Sequence, residues 1–299
     1  MSPVMGLIIR SNQALNINPP AGNESFSVHG SDWLWAVTAL YVLSFLAFYA
    51  ASFKPFSGEK IFHYIFSVAL LVGSISYFAW ASDLGYSVVQ VVNSKPVGNW
   101  TRQIFWVKYV YWVVEFPAII LSLGLLSGVS WATIVYNIFL SWIWVISYLV
   151  SAYTVSNYKW GFYAFGTIAW LMLAFNTLGH GGTSAKRVGL SRDHYLLSGW
   201  VNLLWLLYPI AFGLSDGGNT IGVTPSAIFF GVLDVLLLPV TSFVILGLSR
   251  KWDYGRLNLA FTRYGRVHDA GSFPEKNTPA AAPAPAPAPA PGVAAQPAV

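Results

Sequence analysis

The chain has 299 residues, 56% of them hydrophobic and only 9% charged. A soluble domain carries about 25% charged residues, so this composition excludes one and predicts a polytopic membrane protein. There is no cysteine, which excludes disulfides, thiolate metal sites and a cysteine nucleophile. The net charge of +5 is no nucleic-acid signature, because the basic residues flank apolar runs, where they set topology.

Residues 1–31 are polar, contain Pro19, Pro20 and Gly22, and read as an exposed N-terminal tail on the outer side. The opening MSPVMGLIIRSNQ is too short an apolar run for a signal peptide, and nothing like a cleavage site follows it. Seven apolar spans follow, each long enough to cross a bilayer core. They are placed near Trp33–Phe53, Ile61–Ser82, Phe105–Leu126, Trp131–Tyr153, Trp160–Leu178, Tyr195–Leu214 and Ser226–Leu248. The fold class is therefore an all-α seven-helix bundle over residues 32–256. The connection Asp83–Ile104 has room for a small ordered excursion, and Asp83 itself reads as facing water. Gly179–Arg192 reads as a glycine-rich basic loop, with His180 solvated in it. Residues 257–299 form a tail ending in an Ala-Pro alternation, which cannot bury a core and is expected to be extended and disordered.

Loop charges give the orientation. Lys54, Lys60, Lys186, Arg187, Arg192, Arg250, Lys251 and Arg256 fall on one side, against Arg10, Lys95, Arg102 and Lys159 on the other. The first set is read as cytoplasmic, leaving the N-terminus outside and the C-terminus inside. The sequons at Asn23 and Asn99 then both fall outside.

Ionisable groups inside the spans are functional candidates by default. In the third span Lys108, Tyr111, Trp112, Glu115 and Ser122 share one helical face. Lys108 and Glu115 lie roughly 10 Å apart along it, too far to pair directly. Asp234 sits near the middle of the seventh span. Lys108, Tyr111, Glu115 and Asp234 are read as an intramembrane polar network. Trp112, Trp205, Tyr208, Phe212 and Tyr77 are candidate linings of a central pocket. No Ser-His-Asp set, metal-ligand spacing or phosphate loop is present, so the chain is not read as an enzyme or a metal protein.

The ordered set now on the page resembles the microbial rhodopsin family. It comprises Trp112 and Pro117 on span three, Trp205-x-x-Tyr208-Pro209 on span six and Leu233-Asp234-Val235 on span seven. The stretch Ser76–Gly85 resembles the fungal branch, and the likeness covers about Ser31 to Arg256. The resemblance implies a lysine one turn after the span-seven aspartate, bound to retinal as a protonated Schiff base. Here that residue is Leu238, and an alkyl side chain forms no imine. It also implies an arginine, a carboxylate acceptor and a threonine in span three, where this chain has Lys108, Tyr111 and Glu115. The pumps' carboxylate donor, five residues after the proline, is Ser122. Lys108, near the outer end of its span, lies outside the tryptophan cage and is not expected to take retinal.

The pattern is similar to the fungal opsin-related group that lost the retinal lysine, the heat-shock and stress-induced plasma-membrane proteins. That likeness implies a non-photochemical role in stress tolerance and restraint of the plasma-membrane proton ATPase. The expected surroundings are then a lipid bilayer, a membrane-protein partner and no nucleic acid, with a homo-oligomer left open and no covalent retinal cofactor. Two other readings stay open: a non-covalent retinoid, sterol or lipid carrier, and light-independent ion or proton conduction.

Overall fold

The computed structural model describes residues 12–55, 59–91, 100–255 and 257–259. The Ala-Pro tail, Asn99, Arg10, Lys95 and Arg256 lie outside them.

Among the described residues, seven helical spans are long and apolar enough to cross a membrane. The first is α2 (Val28–Ala51), after a short α1 (Ala14–Ile17). It begins five residues before the hydropathy onset at Trp33, because the Ser27 side chain accepts from the Gly30 N–H and caps the helix. Next comes α3 (Ile61–Ala81), then a two-stranded antiparallel hairpin of β1 (Tyr86–Gln90) and β2 (Thr101–Phe105). This hairpin occupies the expected excursion. α4 (Val107–Ser127) ends at Gly128, whose left-handed φ of 67° closes the helix, and α5 (Trp131–Tyr153) starts from a Ser130 cap.

The fifth span corrects the expected loop at 179–192. α6 (Lys159–Phe175) passes through a π turn, Asn176–His180, straight into α7 (Gly181–Val188). The glycines that suggested a loop are packing residues. A Cβ on Gly181 would come within 2.9 Å of His194 Nε2, and one on Gly182 within 2.4 Å of the Tyr195 hydroxyl. The helix proper closes only at Gly189, at a φ of 79°. α8 (Ser191–Phe212) continues through a second π turn to Gly217. α9 (Val223–Val235) reaches α10 (Thr241–Ser249) through a third, Leu236–Val240, which contains Pro239. Proline has no N–H to donate, so the widened turn falls where the ladder is already broken.

The bundle has a hairpin end and a basic end. At the hairpin end the segment from Asn12 to Ser27 is not the exposed tail expected. Leu15 and Phe26 are buried. Phe26 N–H donates to Gln103 Oε1 at 2.8 Å, and Asn18 Nδ2 donates to the Ser82 carbonyl at 2.8 Å. Two apolar anchors, one helix-end carbonyl and one strand side chain thus turn the tail into a cap. Asp83, expected in water, is buried beneath it and accepts from Gln103 Nε2 at 2.6 Å.

Candidate functional site

Three clusters divide the residues that the sequence placed in one network. The first surrounds Asp234, wholly buried on α9. Its carboxylate accepts from Tyr77 Oη at 2.5 Å, Tyr208 Oη at 2.6 Å and Trp112 Nε1 at 3.0 Å. Three helices, α3, α4 and α8, therefore converge on one acidic group of α9. The second cluster lies nearer the hairpin end. Lys108 Nζ meets Asp216 at 2.5 Å, and Tyr109 Oη donates to the same carboxylate at 2.7 Å. Buried Arg102 approaches Asp216 at 3.8 Å and bonds Glu24 at 2.9 Å, tying strand β2 and the cap to the π turn after α8. Lys108 thus neither snorkels nor pairs with Glu115. Its ammonium lies 4.5 Å from the Phe230 ring centroid and 5.1 Å from that of Tyr109.

The third cluster is Tyr111, whose hydroxyl bonds Tyr41 at 2.7 Å, with Glu115 one turn further along α4. Glu115 is wholly buried, and neither carboxyl oxygen meets a hydrogen-bond partner among the described residues. The four residues are not one run of direct bonds: Lys108 pairs with Asp216 and Tyr111 bonds Tyr41. Tyr77 joins the surroundings of Asp234 to those of Tyr111, donating to Asp234 while its ring lies 5.0 Å from Tyr41 and 5.9 Å from Tyr111.

The aromatic residues of α4, α5 and α8 close on one another. Phe116 is the ring at their centre. Its centroid lies 6.1 Å from Trp112 in a nearly parallel stack, 4.9 Å from Trp144, 5.7 Å from Trp205 and 5.2 Å from Tyr208. The space between Trp112 and Trp205 thus holds a phenyl ring. Phe212 packs away from that centre, against Tyr148 at 4.5 Å and Tyr163 at 5.8 Å. Leu237 and Leu238 have no exposed surface.

A family model described as bacteriorhodopsin-like protein matches residues 30–249. The chain belongs to the bacteriorhodopsin-like family. Protein FDD123 of Trametes versicolor is 40% identical over 85% of this chain and 89% of its own length. The 30 kDa heat shock protein of Saccharomyces cerevisiae is 31% identical over 87% of this chain and 85% of its own. Among solved structures, the light-driven proton pump LR (Mac) of Leptosphaeria maculans superposes with a TM-score of 0.72 at 29% identity. That match covers 78% of this chain and 98% of the pump.

Tyr77, Trp112 and Tyr208, expected as pocket linings, are donors to Asp234, and Leu238 lies one turn after Asp234 in the buried centre. Sequence reasoning missed Phe116, Trp144, Asp216 and Tyr41. Phe116 had a signal: it directly precedes Pro117 and lies one turn from Trp112. Asp216 had a weaker one, as an acid just past the sixth span at the same end as Lys108.

Proposed function

We propose that this chain is a non-photochemical member of the family, without covalent retinal, that acts by contact with other membrane proteins during stress. The plasma-membrane proton ATPase is the partner class that the resemblance favours, and the name of the heat-shock relative supports the stress reading. The observation that carries the proposal is Phe116. Its ring takes the space between Trp112 and Trp205, while Leu238 offers no amine. A retinoid, sterol or lipid held non-covalently at the same place would have to displace that ring, which disfavours the carrier reading. The basic end is proposed to be cytoplasmic, with the N-terminus outside the plasma membrane.

The test is an absorption spectrum of the purified protein in the dark after adding all-trans retinal. The expected spectrum is that of free retinal alone. A red-shifted band that survives washing and is trapped by borohydride would mean a Schiff base on some amine of the chain and would overturn the proposal.

A further inference from the structure

One groove on the lipid-facing surface, between α8 and α10, is plain hydrocarbon. It is bordered by Leu196, Leu203, Val240 and Val244, and the Trp200 indole in it already donates to Thr241 Oγ1 at 3.1 Å. A second groove, between α4 and α5 at the hairpin end, is different. It measures about 660 Å³, within the range of small-molecule sites, roughly 300–1,000 Å³. Trp106, Val110, Leu149 and Val150 line it with apolar surface, and Ser87, Tyr153 and Thr154 bring hydroxyls. None of its lining residues is charged. Ser87 belongs to β1, Tyr153 is the last residue of α5 and Trp106 directly precedes α4. The hydroxyls therefore sit level with the span ends, and the lining at Val110 and Leu149 reaches about one turn, or about 6 Å, deeper.

A second observation says what fits there. Tyr153 Oη is buried and has no hydrogen-bond partner among the described residues. The Ser87 hydroxyl is its neighbour but does not close a bond with it. Thr154 already donates to the Val150 carbonyl at 2.7 Å. A buried hydroxyl without a partner is costly beside lipid. One further hydroxyl, which both donates and accepts, would bridge Ser87 and Tyr153. The uncharged lining opposes a carboxylate or phosphate head, which would be held with no cation against it. The fitting occupant is an apolar body with one neutral hydroxyl at its end. A rigid body suits the β-branched Val110 and Val150 and the Trp106 indole, because it loses little conformational freedom on binding.

We propose that this groove binds a membrane sterol. The 3-hydroxyl bridges Ser87 and Tyr153, and the fused rings lie along Val110, Leu149 and Val150 beside Trp106. The site is separate from the centre that Phe116 fills and is independent of retinal and of the chain's protein partners. Because Ser87 belongs to β1 and Tyr153 to α5, a bound sterol ties the hairpin to the bundle.

The test is photolabelling of the full chain in lipid nanodiscs with a diazirine sterol that keeps its 3-hydroxyl, the labelled residues being mapped by mass spectrometry. Label is expected to concentrate on the α4 and α5 residues of this groove and to be displaced by excess ergosterol. The matching 3-ketone, which accepts but cannot donate, and palmitic acid are expected to displace it poorly. Label spread equally over this groove and the one between α8 and α10 would overturn the proposal. So would displacement by the ketone or by palmitic acid as readily as by ergosterol. Tyr153→Phe removes only the unpartnered hydroxyl and is expected to weaken labelling about five-fold, the effect of one hydrogen bond. Leu149→Trp, at a half-buried position of the lining, is expected to abolish labelling by filling the groove. Unchanged labelling in both variants would place the sterol elsewhere and overturn the site.

Discussion

Glu115 and Asp234 are both wholly buried acids, yet one accepts three hydrogen bonds and the other none. The difference separates their expected costs. Asp234→Leu removes three bonds worth about 0.6 kcal/mol each in a membrane protein and leaves Tyr77, Tyr208 and Trp112 unpaired. A loss of about 2 kcal/mol or more is expected in thermal unfolding of the detergent-solubilised protein. Glu115→Leu removes a buried acid beside the Tyr111 hydroxyl, which keeps its bond to Tyr41 when the acid is gone, so it is expected to be neutral or stabilising. If Glu115→Leu were the more damaging of the two, Glu115 would have a partner that the geometry does not show. Phe116 supplies a second contrast. Leu238→Lys restores the amine but leaves the ring between the tryptophans. The single substitution is expected to stay colourless with retinal, while Leu238→Lys combined with Phe116→Thr takes up colour. Colour in the single variant would mean that the aromatic centre opens readily. Leu238 was legible in the sequence because its spacing from Asp234 is read directly. The filling ring was not, because which of many aromatics meets which depends on helix rotation and on Trp144 of α5, a helix on which the sequence marked no site residue.

At the scale of elements, hydropathy located all seven spans, since a bilayer demands about 20 apolar residues whatever the packing. It failed at the fifth span's end and in the N-terminal segment, and for a common reason. Glycines at 181 and 182 and asparagines at 12 and 18 look like loop residues by composition, but here they make room for His194 and Tyr195 and bond Ser31 and the Ser82 carbonyl. The hairpin end also holds a pH-dependent element. Burial pushes the Asp83 carboxyl up to about 6, against a smaller opposing effect of the bond from Gln103. The folded state therefore holds this proton more tightly than the unfolded chain. Asp83's contribution to stability is full below its ordinary value of 3.8 and is lost as pH rises through about 6. Amide exchange in β1 and β2, corrected for intrinsic rates, is expected to quicken between pH 4.5 and pH 7. Asp83→Asn keeps a residue tolerant of the observed φ of 57° and is expected to abolish the dependence. Persistence of the dependence in that variant would assign it to another group.

For the whole molecule, burial sharpens the charge asymmetry that residue counting detects. Arg102 and Lys159, counted for the hairpin end, are 1% and 4% exposed, and Arg102 is paired with Glu24. They present little free positive charge to a membrane surface. Lys54, Lys186, Arg187, Arg192, Arg250 and Lys251 at the opposite end are all exposed. Orientation during insertion is set by lysines and arginines near the span ends, so the bias comes chiefly from the basic end. An epitope at the N-terminus is expected to bind antibody on intact cells, and one at the C-terminus only after permeabilisation. Lys186, Arg187 and Arg192 flank the turn between the fifth and sixth spans, so replacing all three with glutamine is expected to produce a mixed population. The reverse labelling pattern in the parent would place the hairpin end inside. Contacts with cytoplasmic partners would then have to be sought at the cap formed by Asn12–Ser27 and the hairpin.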